Sequence, residues 1–160
     1  MMKLTFKKSF LLFLAICLTS CATTYHEFNF SGGYQSAKLA EDSYVVRFNG
    51  NGYTSFDLAT QFTMRHCAEI TLEQGKRYFV KALNPGPYKA KFITTSSANK
   101  FPTPQLIFMI LDSKSDSPNV FDAVRVIDET NNSAKGILSP EAQKYYNILI
   151  ENETHQGKES

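Results

Sequence analysis

A chain of 160 residues with 17 Lys+Arg against 15 Asp+Glu has the length of one domain and lacks the clustered basic excess that a nucleic-acid-binding face needs. Its small positive balance comes from the N-terminus: residues 1–20 hold three lysines and no acid, and residues 21–160 carry 14 Lys+Arg against 15 Asp+Glu, a formal charge of −1. Nucleic acid is therefore not an expected partner.

Lys3, Lys7 and Lys8 precede an apolar run over residues 10–18. That run is shorter than the roughly 20 residues a bilayer-spanning helix needs, and it fits the charged and then apolar layout of a secretory signal peptide. Leu18-Thr19-Ser20-Cys21 follows at once and resembles the lipobox of bacterial lipoproteins: an aliphatic residue, two small ones, then the cysteine that becomes the new N-terminus. The resemblance implies cleavage between Ser20 and Cys21, a diacylglycerol thioether on Cys21 and attachment to a membrane through that lipid, with no other cofactor. Each buried methylene contributes about 0.8 kcal/mol, so two or three acyl chains anchor a protein effectively for good where one does not. The competing reading is an ordinary secretory signal with an accidental cysteine at the cleavage point. Ala22, standing where an aspartate would retain a lipoprotein in the inner membrane, implies the periplasmic face of the outer membrane.

Cys17 leaves with the leader and Cys21 carries lipid, so Cys67 is left without an internal disulfide partner. Residues 22–42 are polar, lack a clear period and contain Gly32-Gly33, which reads as a tether ahead of the folded domain. The domain itself is expected over 43–151. Ser43 to Asn49 alternates as a strand and is stopped by Asn49-Gly50-Asn51-Gly52. Thr54 or Ser55 then caps a helix that runs to about Gln74, with Gly75 as its stop. At 100° per residue, Cys67 falls at the centre of the apolar face and is expected to be buried and inert. Arg65, Glu69 and Glu73 fall on the other side.

Residues 77–83 and 88–95 read as strands separated by Asn84-Pro85-Gly86-Pro87. QLIFMIL, residues 105–111, reads as a central strand buried on both faces. Ser117-Pro118 looks like a helix start for Val120, Ala123, Val124 and Ile127, and Ser139-Pro140 repeats that signal before a last helix. The tail from Asn152 is polar and reads as frayed. The order β-α-β-β-β-α-α indicates an α+β fold, with about three helices packed on one face of a mainly antiparallel sheet.

Few patterns carry chemistry. Residues 50–55 lie between strand and helix, where glycine loops can hold phosphate, but the stretch has neither a Walker lysine nor a dinucleotide fingerprint. The simpler reading gives its glycines positive φ in a tight turn. His26, His66 and His155 are scattered, and no HExxH or paired CxxC supports a metal site. No Gly-x-Ser-x-Gly elbow occurs, and a His66–Cys67 dyad fails because neighbours on a helix diverge by about 100°.

Arg65 and Glu69, four apart, can pair on an exposed face. With Asn51 and Thr54 they are the candidate interaction residues, and an open sheet edge is the other expected docking surface, since edges accept strands from other chains. If the pair is exposed, exchanging the two residues should change stability by no more than about 0.5 kcal/mol.

A second resemblance rests on Gly33-Tyr34, Tyr44-Val45-Val46-Arg47-Phe48-Asn49-Gly50-Asn51, Thr54-Ser55, Arg65, Ala68-Glu69-Ile70-Thr71, Gly75 and Phe79. This pattern is similar to an uncharacterised family of proteobacterial envelope lipoproteins, and it implies a Gram-negative envelope protein without implying an activity. The expectation is a lipid-anchored binding or adapter module for an envelope protein or glycan, more in keeping with the residues than an enzyme. The alternative is an envelope hydrolase or transferase acting on wall or lipid substrates.

Overall fold

The structure is a computed structural model that describes residues 22–82, 100–134 and 136–156. Its first strand, β1 (Gly33–Lys38), forms a hairpin with β2 (Ser43–Asn49). Helix α1 (Phe56–Glu73) follows, then β3 (Tyr78–Lys81), β4 (Gln105–Leu111), β5 (Val120–Asp122), α2 (Ala123–Thr130) and α3 (Pro140–Gln156). Among the described residues the strands form one five-stranded sheet in the order β1-β2-β4-β3-β5, with every neighbouring pair antiparallel. The fold is α+β.

Strand alternation sets the inner face of the sheet. Tyr44, Val46 and Phe48 of β2 share that face with Leu106, Phe108 and Ile110 of β4 and Phe79 of β3, all of them buried. Cys67, Ala68 and Leu72 of α1 pack on this surface, and Val124, Ile127 and Ala142 bring α2 and α3 into the same core. A smaller cluster of Phe48, Ala59, Phe62 and Ala134, joined by Tyr25 and Tyr34, closes the other end.

Local chemistry sets the ends of α1. Ser55 Oγ accepts from the Leu58 N–H at 3.1 Å, so of the two cap candidates Ser55 is the one used. At the far end Gly75 has φ +65, its N–H bonds the Leu72 carbonyl at 2.9 Å, and the Lys76 N–H bonds that of Thr71 at 3.1 Å. These two bonds are the Schellman pair that satisfies a helix's last carbonyls.

Several expectations change. Residues 22–42 are not a tether: they contain β1, Thr23 is buried, and the segment before β1 bonds to it through Phe28 N–H to Tyr34 O and Tyr34 N–H to His26 O, both 2.9 Å. The polar strand GYQSAK shows no hydrophobic alternation because it lies at the sheet edge. Strand β4 is buried mainly on one face, with Gln105 and Met109 exposed, because the helices pack on the other side.

Val120 belongs to β5 rather than to a helix, and Asp122, not Ser117, caps α2 by accepting from the Val124 N–H at 3.0 Å. Helix α3 continues past residue 152, held by Arg77, whose guanidinium donates to Glu153 at 2.5 Å and to Asp122 at 2.8 Å. Ser139 caps α3 as expected, accepting from the Ala142 N–H at 3.3 Å. The strand expected over 88–95 lies outside the described residues. Neither Gly50 nor Gly52 has positive φ; Gly50 is needed instead for close approach, since a Cβ there would meet Thr54 Cβ at 2.9 Å.

Candidate functional site

Arg65 and Glu69 do pair, with Nε 3.1 Å from Oε1, but not on an exposed face. Arg65 is 0 % exposed and Glu69 6 %. Helical periodicity placed them opposite the sheet-facing stripe correctly; the rest of the fold then covers that second side. Residues 22–34 close over it from one direction, and the end of α2 with the loop after it closes from the other.

The guanidinium is held from several directions. Arg65 Nη1 donates to Asn131 Oδ1 at 3.0 Å, Thr130 Oγ1 at 3.3 Å and the Ile127 carbonyl at 3.5 Å, and Nη2 donates to the Gly136 carbonyl at 3.1 Å. Ile127 and Thr130 lie in the last turn of α2, where the helix dipole favours a cation. A buried charge paired and hydrogen-bonded in this way avoids most of the desolvation penalty it would otherwise carry.

Glu69 Oε2 accepts from the Tyr25 hydroxyl. The Tyr25 ring packs against Tyr34 at 4.8 Å and Phe62 at 5.5 Å, with the Arg65 guanidinium 5.4 Å from its centroid. Burial, with the adjacent Glu69 carboxylate adding to it, raises the Tyr25 hydroxyl far above the usual tyrosine range. Gly136 is part of this fit, because a Cβ there would come within 2.7 Å of Tyr25 Cδ1. Together these contacts clamp the segment before β1 onto α1.

His66 extends the network to the surface. Its ring stacks on Tyr34 at 3.9 Å, Nδ1 lies 3.3 Å from Glu69 Oε2, and Nε2 lies 3.2 Å from Ser36 Oγ. Ser36, His66 and Glu69 thus have the connectivity of a nucleophile, a base and an orienting acid. No local motif could reveal it, since Ser36 reaches His66 only through the pairing of β1. The chain is poorly arranged for nucleophilic catalysis: Ser36 is exposed on an edge strand, and Glu69 is also engaged by Arg65 and Tyr25. Two clefts on the molecule, one beside Asp122 and Arg125 and one between Phe56, Met64 and Leu106, are not lined by any of the three.

Cys67, next in sequence to His66, points the other way into the core and is fully buried. Burial pushes its thiol well above the usual range. Among the described residues no group of three or more His, Cys, Asp and Glu is placed to hold a metal.

Asn51 and Thr54 belong to a separate site, about 15 Å along α1 from Arg65 at 1.5 Å per residue. Thr54 is buried. Its hydroxyl donates to Asn51 Oδ1 at 3.0 Å and accepts from the Thr23 N–H at 3.0 Å. Ser20 and Cys21 lie outside the described residues. No protein family, curated protein or solved structure matches the chain in comparison, so any functional reading stands on residue pattern and geometry.

Proposed function

We propose that the chain is a lipid-anchored envelope protein, attached through Cys21 to the periplasmic face of the outer membrane, and that it acts as a non-catalytic binding or adapter module for an envelope protein or glycan. The observation that carries the reading is where its reactive side chains go. Arg65, Glu69 and Tyr25 satisfy one another inside the fold, and the result is a rigid attachment of residues 22–34, immediately after the lipobox, to α1.

With Arg65 and Glu69 buried, the docking face moves from the helix to the sheet edge. The Tyr34 N–H and C=O point away from β2, toward residues 26 and 28, and strand alternation gives Ser36 and Lys38 the same outward direction. An edge of this kind accepts a strand from a partner. The test takes the full-length protein from cells. The expected result is palmitate incorporation and outer-membrane fractionation that Cys21→Ser abolishes, and no labelling by a serine-directed fluorophosphonate. Unchanged palmitate and fractionation in Cys21→Ser would overturn the anchor, and fluorophosphonate labelling at Ser36 would overturn the non-catalytic reading in favour of a hydrolase.

A further inference from the structure

Thr23 is fixed by two loops. Its N–H donates to Thr54 Oγ1 at 3.0 Å, and its hydroxyl donates to the Ser31 carbonyl at 3.2 Å. Each of those partners is next in sequence to an exposed aromatic ring: Tyr53, 68 % exposed, precedes Thr54, and Phe30, 96 % exposed, precedes Ser31. Neither loop is slack. The Phe30 turn is closed by Asn29 N–H to Gly32 O at 2.8 Å and Gly32 N–H to Asn29 O at 3.1 Å, and the Ser31 N–H bonds Asn29 Oδ1 at 2.8 Å. Tyr53 is held by its N–H on Asn51 Oδ1 at 3.0 Å. Ordered turns therefore present two aromatic side chains to solvent beside Thr23, where they contribute little to the core.

The chain's covalent geometry says what lies there. Residue 21 is two peptide units before Thr23, so its Cα is within about 7.6 Å of that of Thr23. We propose that the surface bearing Phe30 and Tyr53 faces the bilayer, with both rings seated in the headgroup–acyl boundary beside the lipid on Cys21. This rests on the anchor reading above and extends it: the domain lies against the membrane in one orientation instead of standing off on a flexible linker. Aromatic rings favour that boundary, tyrosine because its ring is apolar and its hydroxyl stays wet. Burial of their exposed area adds to the anchoring by the acyl chains.

The chain contains no tryptophan, so a single introduced tryptophan reports its own site. Phe30→Trp and Tyr53→Trp would be compared with Met109→Trp. Met109 is 46 % exposed and pairs with Ser43 at the opposite end of β2 from Asn49, about 20 Å along the strand. Each variant is purified with its native lipid, assayed for palmitate, and reconstituted into phosphatidylethanolamine–phosphatidylglycerol vesicles with lipids brominated near the headgroup. A second preparation joins the Cys21 thiol of residues 21–160, the span that holds every described element, to a maleimide phospholipid; Cys67 is fully buried and spared.

The expected result in both preparations is a blue shift and loss of emission at positions 30 and 53, and neither change at 109. Unshifted, unquenched emission at 30 and 53 in the maleimide-anchored sample would overturn the membrane-facing surface. A blue shift that depends on protein concentration and is unaffected by bromine would overturn it in favour of a second copy of the chain. Missing palmitate in the native preparation, with quenching retained in the coupled one, would count against the lipid anchor alone.

Discussion

Exchange of Arg65 and Glu69, harmless for a surface ion pair, should unfold or severely weaken this domain. With glutamate at 65, a carboxylate faces the Ile127 carbonyl, Asn131 Oδ1 and the Gly136 carbonyl, all of which accept from Arg65 in the native fold. It also sits at the C-terminal end of α2, where the dipole disfavours an anion. The arginine moved to 69 meets the Tyr25 hydroxyl in place of the carboxylate that now accepts from it. The Ile127 carbonyl keeps the Thr130 hydroxyl as a donor, and Asn131 is exposed and Gly136 half-buried. The cost therefore comes mainly from burying the two charges away from the groups that compensate them, for which about 3–5 kcal/mol is typical. That is a large part of a domain's whole stability of about 5–15 kcal/mol. Urea unfolding followed by far-ultraviolet circular dichroism measures the difference. A midpoint corresponding to a loss of less than about 1 kcal/mol would refute the buried clamp and restore the solvent-facing pair, for which the expected change is about 0.5 kcal/mol or less.

Two further predictions follow from the buried groups. Cys67, fully buried and with its thiol pushed up by burial, should resist iodoacetamide in the native protein at neutral pH and react once the chain is unfolded; fast native labelling would show that the core opens there. Tyr25→Phe removes a donor to Glu69 and should cost about 1–3 kcal/mol at pH 7. Because burial raises the Tyr25 hydroxyl far above the usual tyrosine range, which lies at about 10, the unfolded chain loses that proton near pH 10 while the folded chain keeps it. The contribution of Tyr25 is therefore complete below about pH 10 and declines above it, by about 1.4 kcal/mol per pH unit. The stability gap between wild type and Tyr25→Phe should close at that rate in alkaline urea titrations, and parallel pH profiles would contradict the burial of this hydroxyl.

Elements whose signals are local were legible in the sequence. The α1 periodicity, its capping at Thr54 or Ser55 and its Gly75 stop are decided by residues within a turn or two, and so is the start of α3 at Ser139-Pro140. Cys67 at the centre of the apolar stripe is the same kind of inference, since a helix fixes which residues share a face before anything packs on it. The alternation of β2 likewise made Tyr44, Val46 and Phe48 one face of a strand, and they form part of the core.

Contacts between distant residues were decided only by the tertiary structure. Residues 22–42 look polar and aperiodic because an edge strand buries little side chain, and only the pairing of Gly33–Lys38 with Ser43–Asn49 makes them part of the domain. Val120 fits the helical spacing of α2 as well as a strand, and pairing with Val80 settles it as strand. For Arg65 and Glu69, the helix alone could say that they lie away from the sheet. Water or protein on that side depends on where Tyr25, Thr130, Asn131 and Gly136 arrive, positions up to 71 residues distant in the chain. A single amphipathic period records one buried face; it carries no information about a second face that is buried by hydrogen-bonded charge instead of by apolar surface.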